Sequence, residues 1–222
     1  MKLIVFDLDG TLLDSHAYLD MTFAETFTAE GLLPPDSEAL RRVTGLSLER
    51  AMQILSGLDG DALASLTARY RTVYHSRVGT IETEPLFEGM REAVLALFAR
   101  PDTLLGIATG KGLPGVERFL SLHGFTDHFV TRQTPNDNPS KPHPGMLLRA
   151  MEETGARAKD TLMIGDTSYD MEMARSAGTL ALGVAWGSHP AEELRDSGAH
   201  MVIDEPSALV DAVGGLLEIS HA

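Results

Sequence analysis

Cysteine is absent from the 222 residues, and with it go disulfide frameworks, thiolate zinc sites and cysteine nucleophiles. Basic residues are scarce: 18 Lys and Arg stand against 32 Asp and Glu, for a net charge of -14. A chain that acidic lacks the electrostatic footprint for a nucleic-acid backbone or an anionic membrane surface, so neither is expected as a partner. A small anionic ligand stays open, because a bound cation or a few local donors can reverse the field inside one cleft. Histidine is scattered, with no HExxH or His-x-His pair, which removes support for a histidine-rich metal centre. Long apolar runs are missing too: Lys2 leads only into a short one before Asp7, too short for a secretory segment or a membrane span. A cytoplasmic protein is the expectation.

What is present has the balance of a folded chain, with 43% hydrophobic and 23% charged residues. Short apolar runs recur at Leu3 to Phe6, Leu104 to Ala108, Phe129 to Thr131, Thr161 to Ile164, Leu180 to Ala185 and Met201 to Ile203. Stretches of helical period separate them, and Gly124, Gly155 and Gly178 stand where helices would end. This rhythm predicts βαβ units and a parallel sheet, an α/β fold. Ser15 to about Thr80 breaks it, carrying helix patterns and no strand, and reads as a helical insertion. Gln133 to Pro144 is the one long irregular stretch after the third strand.

Three strands run into polar residues: Phe6 into Asp7-Leu8-Asp9-Gly10-Thr11, Ala108 into Thr109-Gly110, and Ile164 into Gly165-Asp166. In an open parallel sheet the strand C-termini share one edge, and ligands bind in the crevice there. Asp7, Asp9, Asp166 and Asp170 would therefore crowd one small volume, where like charges raise each other's pKa or recruit a cation. A donor set of oxygens alone favours a hard ion such as Mg2+. A carboxylate can attack phosphorus to form an acyl phosphate, and a second carboxyl two residues on can protonate the leaving alkoxide and deprotonate the incoming water. The Thr109 hydroxyl, the Gly110 N–H and Lys141 would stabilise the non-bridging phosphate oxygens.

In order and spacing, Asp7-Leu8-Asp9-Gly10-Thr11-Leu12, Thr109-Gly110-Lys111, Lys141-Pro142-His143-Pro144 and Gly165-Asp166-Thr167-Ser168-Tyr169-Asp170 resemble the four motifs of the haloacid dehalogenase-like hydrolases. The phosphoglycolate phosphatase-like subgroup is the nearest in pattern. The resemblance implies a modified Rossmann core over residues 1–14 and 81–222, with a helical cap over 15–80 and hinges near Leu13 to Ser15 and Thr80 to Glu84. It implies Asp7 as nucleophile and Mg2+ ligand, and Asp9 as general acid/base with its backbone carbonyl on the metal. Thr109 would bind phosphate, Lys141 would hold Asp7 and the phosphate, and Asp166 and Asp170 would serve the metal, the latter directly or through water. The substrate would be a small organic phosphate; phosphoglycolate is the subgroup's choice, with nucleotides, sugar phosphates, pyrophosphate and flavin mononucleotide open. The cap segment Thr44 to Arg50 joins two helices and combines Gly, Ser and Arg, which makes Ser47 and Arg50 candidates for reading the leaving group.

Two other chemistries compete. A β-phosphoglucomutase-like transferase shares the cap loop, but carries Arg where Leu48 stands, and a mutase needs that cation for its second phosphate. Gly110 to Gly115 also spells the dinucleotide fingerprint G-x-G-x-x-G, yet the following strand, Phe129 to Thr131, ends in no acid.

Overall fold

The computed structural model describes residues 1–77 and 84–219. The strands are β1 (Lys2–Phe6), β2 (Thr103–Ala108), β3 (Phe129–Gln133), β4 (Thr161–Gly165), β5 (Leu180–Val184) and β6 (Met201–Ile203). Four helices follow β1: α1 (His16–Ala29), α2 (Ser37–Val43), α3 (Leu48–Ser56) and α4 (Gly60–Arg77). The remainder are α5 (Met90–Phe98), α6 (Leu113–His123), α7 (Gly145–Thr154), α8 (Ser168–Ala177), α9 (Ala191–Asp196) and α10 (Leu209–Ile219). No described helix is long and apolar enough to cross a membrane.

All strand pairings are parallel, in the order β3-β2-β1-β4-β5-β6. The two-residue period of β1 feeds two cores at once. Ile4 and Phe6 pack with Val94, Phe119 and Leu216 from α5, α6 and α10. Leu3 and Val5 pack with Met146, Met163 and Met173 on the opposite face, where α7 and α8 lie. A sheet buried on both sides explains why its strands read as continuous apolar runs. Gly124, Gly155 and Gly178 close α6, α7 and α8 in the left-handed conformation, at φ near 70°.

β3 runs two residues beyond the expected Thr131. The polar pair Arg132-Gln133 conceals this in the sequence, but Gln133 accepts a backbone hydrogen bond from Thr109 N–H at 3.1 Å, and its amide is held by Thr131 and Glu153. Gln133 thus belongs to the sheet, and the irregular loop begins after it.

Helices α1 to α4 bury a cluster of their own, built on Tyr18, Phe27, Met52, Leu66 and Tyr74. They sit over the C-terminal edge of the sheet, tied to it by an Arg42–Glu193 ion pair at 2.7 Å and by Tyr169 donating to the Arg42 carbonyl at 2.8 Å. The first expected hinge, Leu13 to Ser15, lies between β1 and α1. Of the second, Thr80 to Thr83 fall outside the described residues and only Glu84 lies within them.

Candidate active site

The sheet order reverses between β1 and β4, and a crevice opens at such a switch point. Phe6 pairs with Ile164, and Asp7 N–H donates to the Ile164 carbonyl at 2.9 Å. Asp7 and Asp166 therefore leave the sheet side by side. Each of Asp7, Asp166 and Asp170 offers a carboxylate oxygen within 4.8 Å of the others, and all three are buried.

The turn after β1 holds this cluster. Gly10 has φ +83°, and a Cβ there would strike the Asp166 carboxylate, so only glycine fits. Thr11 donates to Asp166 Oδ1 at 2.7 Å, and Ser188 N–H donates to Oδ2 at 2.9 Å. Asp170 is fixed by a capping box at the start of α8, where its Oδ2 accepts from Thr167 N–H and Oγ. Lys141 reaches in from its loop, with Nζ 2.8 Å from Asp7 Oδ2 and 2.6 Å from Asp170 Oδ1.

Burial pushes Asp7 up to about 6, with the Asp170 carboxylate adding to it and Lys141 opposing it. Asp166 is pushed up to about 6 by burial and by Asp7. Burial also raises Asp170. The Lys141 ammonium resists its own burial because Asp170 and Asp7 hold it charged. Three carboxylates against one ammonium leave an excess of two negative charges, the charge of one divalent cation. Buried, oxygen-only donors at this spacing fit a hard ion of the Mg2+ kind.

Asp9 stands apart from that cluster. Its Oδ2 pairs with Lys111 Nζ at 3.2 Å, and its Oδ1 is buried with no hydrogen-bond partner among the described residues. Lys111 was not singled out in the sequence, and it belongs to a network there was no local signal for. Its ammonium also donates to Glu84 Oε1 at 3.3 Å and to the Tyr74 hydroxyl at 2.9 Å. Arg118 closes the network on Glu84 at 3.0 Å and on Tyr74 at 2.7 Å. Burial works against the Glu84 carboxylate, but Lys111, Arg118 and Tyr74 outweigh it and hold it down to about 2. One cluster thus joins the motif loop, the last residue of the second expected hinge, and helices α4 and α6.

A cavity of about 310 Å³ lies between the helical layer and the sheet edge, lined by Asp7, Asp9, Thr109, Gly110 and Lys111 on one side and by α1 to α4 on the other. The segment Thr44 to Arg50 enters it only in part. Thr44, Gly45, Leu46 and Leu48 line it, and a Cβ on Gly110 would collide with the Leu46 carbonyl. Ser47 and Arg50 are not brought into it. The Ser47 hydroxyl caps α3 and its N–H donates to Ser140 at 2.9 Å, while Arg50 is exposed and bonded to Gln53. Leu48 faces the cavity where a mutase would need a cation. The G-x-G-x-x-G run follows β2, away from the switch point, with Gly112 capping α6 and Gly115 packed beneath the Lys111 stem.

A family model described as haloacid dehalogenase-like hydrolase matches residues 4–184. The chain is 33% identical to "Probable phosphatase IndB" of Dickeya dadantii, over 99% of this chain and 96% of that one. It is 28% identical to the phosphoglycolate phosphatase of Vibrio parahaemolyticus, over 96% of each. A solved haloacid dehalogenase-like hydrolase from Bacteroides fragilis matches with a TM-score of 0.85 and 26% identity, over 95% of this chain and 99% of that chain.

Proposed function

Because the chain belongs to the haloacid dehalogenase-like hydrolases, we propose that it is a Mg2+-dependent phosphatase that transfers phosphoryl from a small organic monoester to Asp7 and then to water. The observation that carries this is the meeting of Asp7 with Lys141 at 2.8 Å, within a buried carboxylate cluster that opens on the same cavity as Asp9 and Thr109. The phosphatase names of the relatives support it. Residues 1–14 and 81–222 form the core and 15–80 the cap in this reading, with the second boundary outside the described residues.

Asp7, Asp166 and Asp170, with the Asp9 carbonyl, would hold the Mg2+, whose charge offsets that of the substrate phosphate. Thr109, the Gly110 N–H and Lys141 orient the phosphate so that a carboxylate oxygen of Asp7 attacks phosphorus as the bond to the leaving oxygen breaks. Asp9 Oδ1, the oxygen that no described residue holds, gives its proton to the leaving alkoxide. It then takes a proton from the water that cleaves the acyl phosphate, releasing inorganic phosphate and restoring Asp7.

Purified protein is expected to release phosphate from p-nitrophenyl phosphate in Mg2+ and to lose that activity in excess EDTA, recovering it when Mg2+ is restored. Turnover undiminished by EDTA would refute the metal assignment, and no turnover at all would refute the phosphatase reading.

Lys111 is a positioning residue in this scheme, since it holds one oxygen of Asp9 and leaves the other free. Lys111→Met is expected to lower kcat/KM on an alkyl phosphate, which reports the steps up to phosphoryl transfer and not the later attack of water, roughly ten- to a hundredfold, within the usual worth of general acid/base catalysis. The loss on p-nitrophenyl phosphate should be much smaller, because that leaving group departs without a proton. Equal losses on both substrates would mean that Lys111 does not act through Asp9.

A further inference from the structure

Resting on the phosphatase reading, we propose that the alcohol carried by the substrate is ring-bearing, an aromatic or heteroaromatic body and not a two-carbon acid or a second phosphate. The cavity above Asp7 and Asp9 measures about 310 Å³, at the lower end of the roughly 300–1,000 Å³ that encloses drug-sized ligands. A glycolate group would occupy a small part of it. The chemistry of its walls points the same way. Leu19, Phe23, Leu40, Val43, Leu48 and Tyr70 line it from the four cap helices. A carboxylate or a second phosphate set against those six side chains loses its hydration without gaining donors from them, which is unfavourable. A flat apolar ring gains from every unit of surface it takes out of water, and aromatic walls accept it edge-on or offset. Exposed Arg41 and Arg71 line the same cavity and can take polar substituents of the ring.

The phosphate would sit at the Asp7 end, so the wall residues recognise a part of the substrate that does not react. Such binding acts on KM more than on kcat. Leu19 and Leu48 are suited to testing it, because both are only half-buried and their replacement spares the fully buried centre of the cap.

The experiment compares alkyl phosphates in Mg2+: pyridoxal 5′-phosphate and a nucleoside 5′-monophosphate against phosphoglycolate, with pyrophosphate alongside. At least one ring-bearing substrate is expected to exceed both small ones by tenfold or more in kcat/KM. Leu19→Gln is expected to shrink that ratio at least threefold through KM, with Leu48→Gln as the second variant should the first melt early. A ratio at or below one, or a ratio that neither folded variant moves, would overturn the assignment while leaving the phosphatase reading intact. If p-nitrophenyl phosphate too is untouched, the phosphatase reading itself fails and this inference falls with it.

Discussion

Asp7→Asn is expected to remove turnover, by about a thousandfold or more, from a protein that still folds. An amide is no nucleophile towards phosphorus, so the acyl phosphate cannot form at position 7. The fold should tolerate the change for reasons visible around the side chain. The amide oxygen can go on accepting the Leu8 N–H, now 2.7 Å from Oδ1, and Lys141 keeps Asp170 at 2.6 Å. One of three crowded charges is also removed. With its pKa raised to about 6 in the folded chain, an ionised Asp7 counts against stability above about pH 6, and this penalty fades as the pH falls towards the ordinary carboxylate range. Metal-free Asp7→Asn should therefore melt no lower than the parent at pH 7.5. Residual activity above a few per cent would place the nucleophile elsewhere; a much lower melting temperature would mean that unfolding, and not lost chemistry, explains the loss.

Much of the fold was legible because the sheet is parallel and buried on both faces, which makes its inner strands mostly apolar runs instead of alternating ones. β1, β2, β4 and β5 stand out for that reason, as does the strand-free interval of α1 to α4. The end of β3 was hidden because Arg132 and Gln133 satisfy their polar groups laterally, through Glu117, Glu153 and Thr131, which no periodicity records.

The candidate site divides along a similar line. Asp7, Thr109 and Asp166 are legible because each follows a strand, and strand ends in a parallel sheet share an edge. Lys141 is legible because it sits in the one long loop beyond β3. Ser47 is not resolved by such reasoning: a serine before an amphipathic stretch suits a helix cap as well as a ligand contact, and here its hydroxyl caps α3. Lys111 lay in plain view within a motif, yet the residues that give it meaning are contributed by three separate parts of the chain, Asp9, Tyr74 and Glu84. Only packing brings them together.

Lys141→Met should damage stability and turnover together, and the two effects can be separated. Lys141 is fully buried between Asp7 and Asp170, and its removal strips the carboxylate cluster of its counter-charge. Breaking a buried pair from one side costs about 3–5 kcal/mol. For a chain of this size that corresponds to a fall in melting temperature of about 10 °C, largest in EDTA and partly offset by Mg2+, which supplies positive charge to the same carboxylates. Replacing Asp170 as well, in Lys141→Met/Asp170→Asn, removes the charge left unpaired and should recover much of the lost stability. Turnover should not recover with it, because no ammonium then holds Asp7 or meets the phosphate and the metal site has lost the Asp170 carboxylate. Recovery of activity to within tenfold of the parent would mean that Lys141 only balances charge. A double variant as unstable as the single one would instead mean that its long apolar stem, packed in the loop that follows β3, matters more than its ammonium.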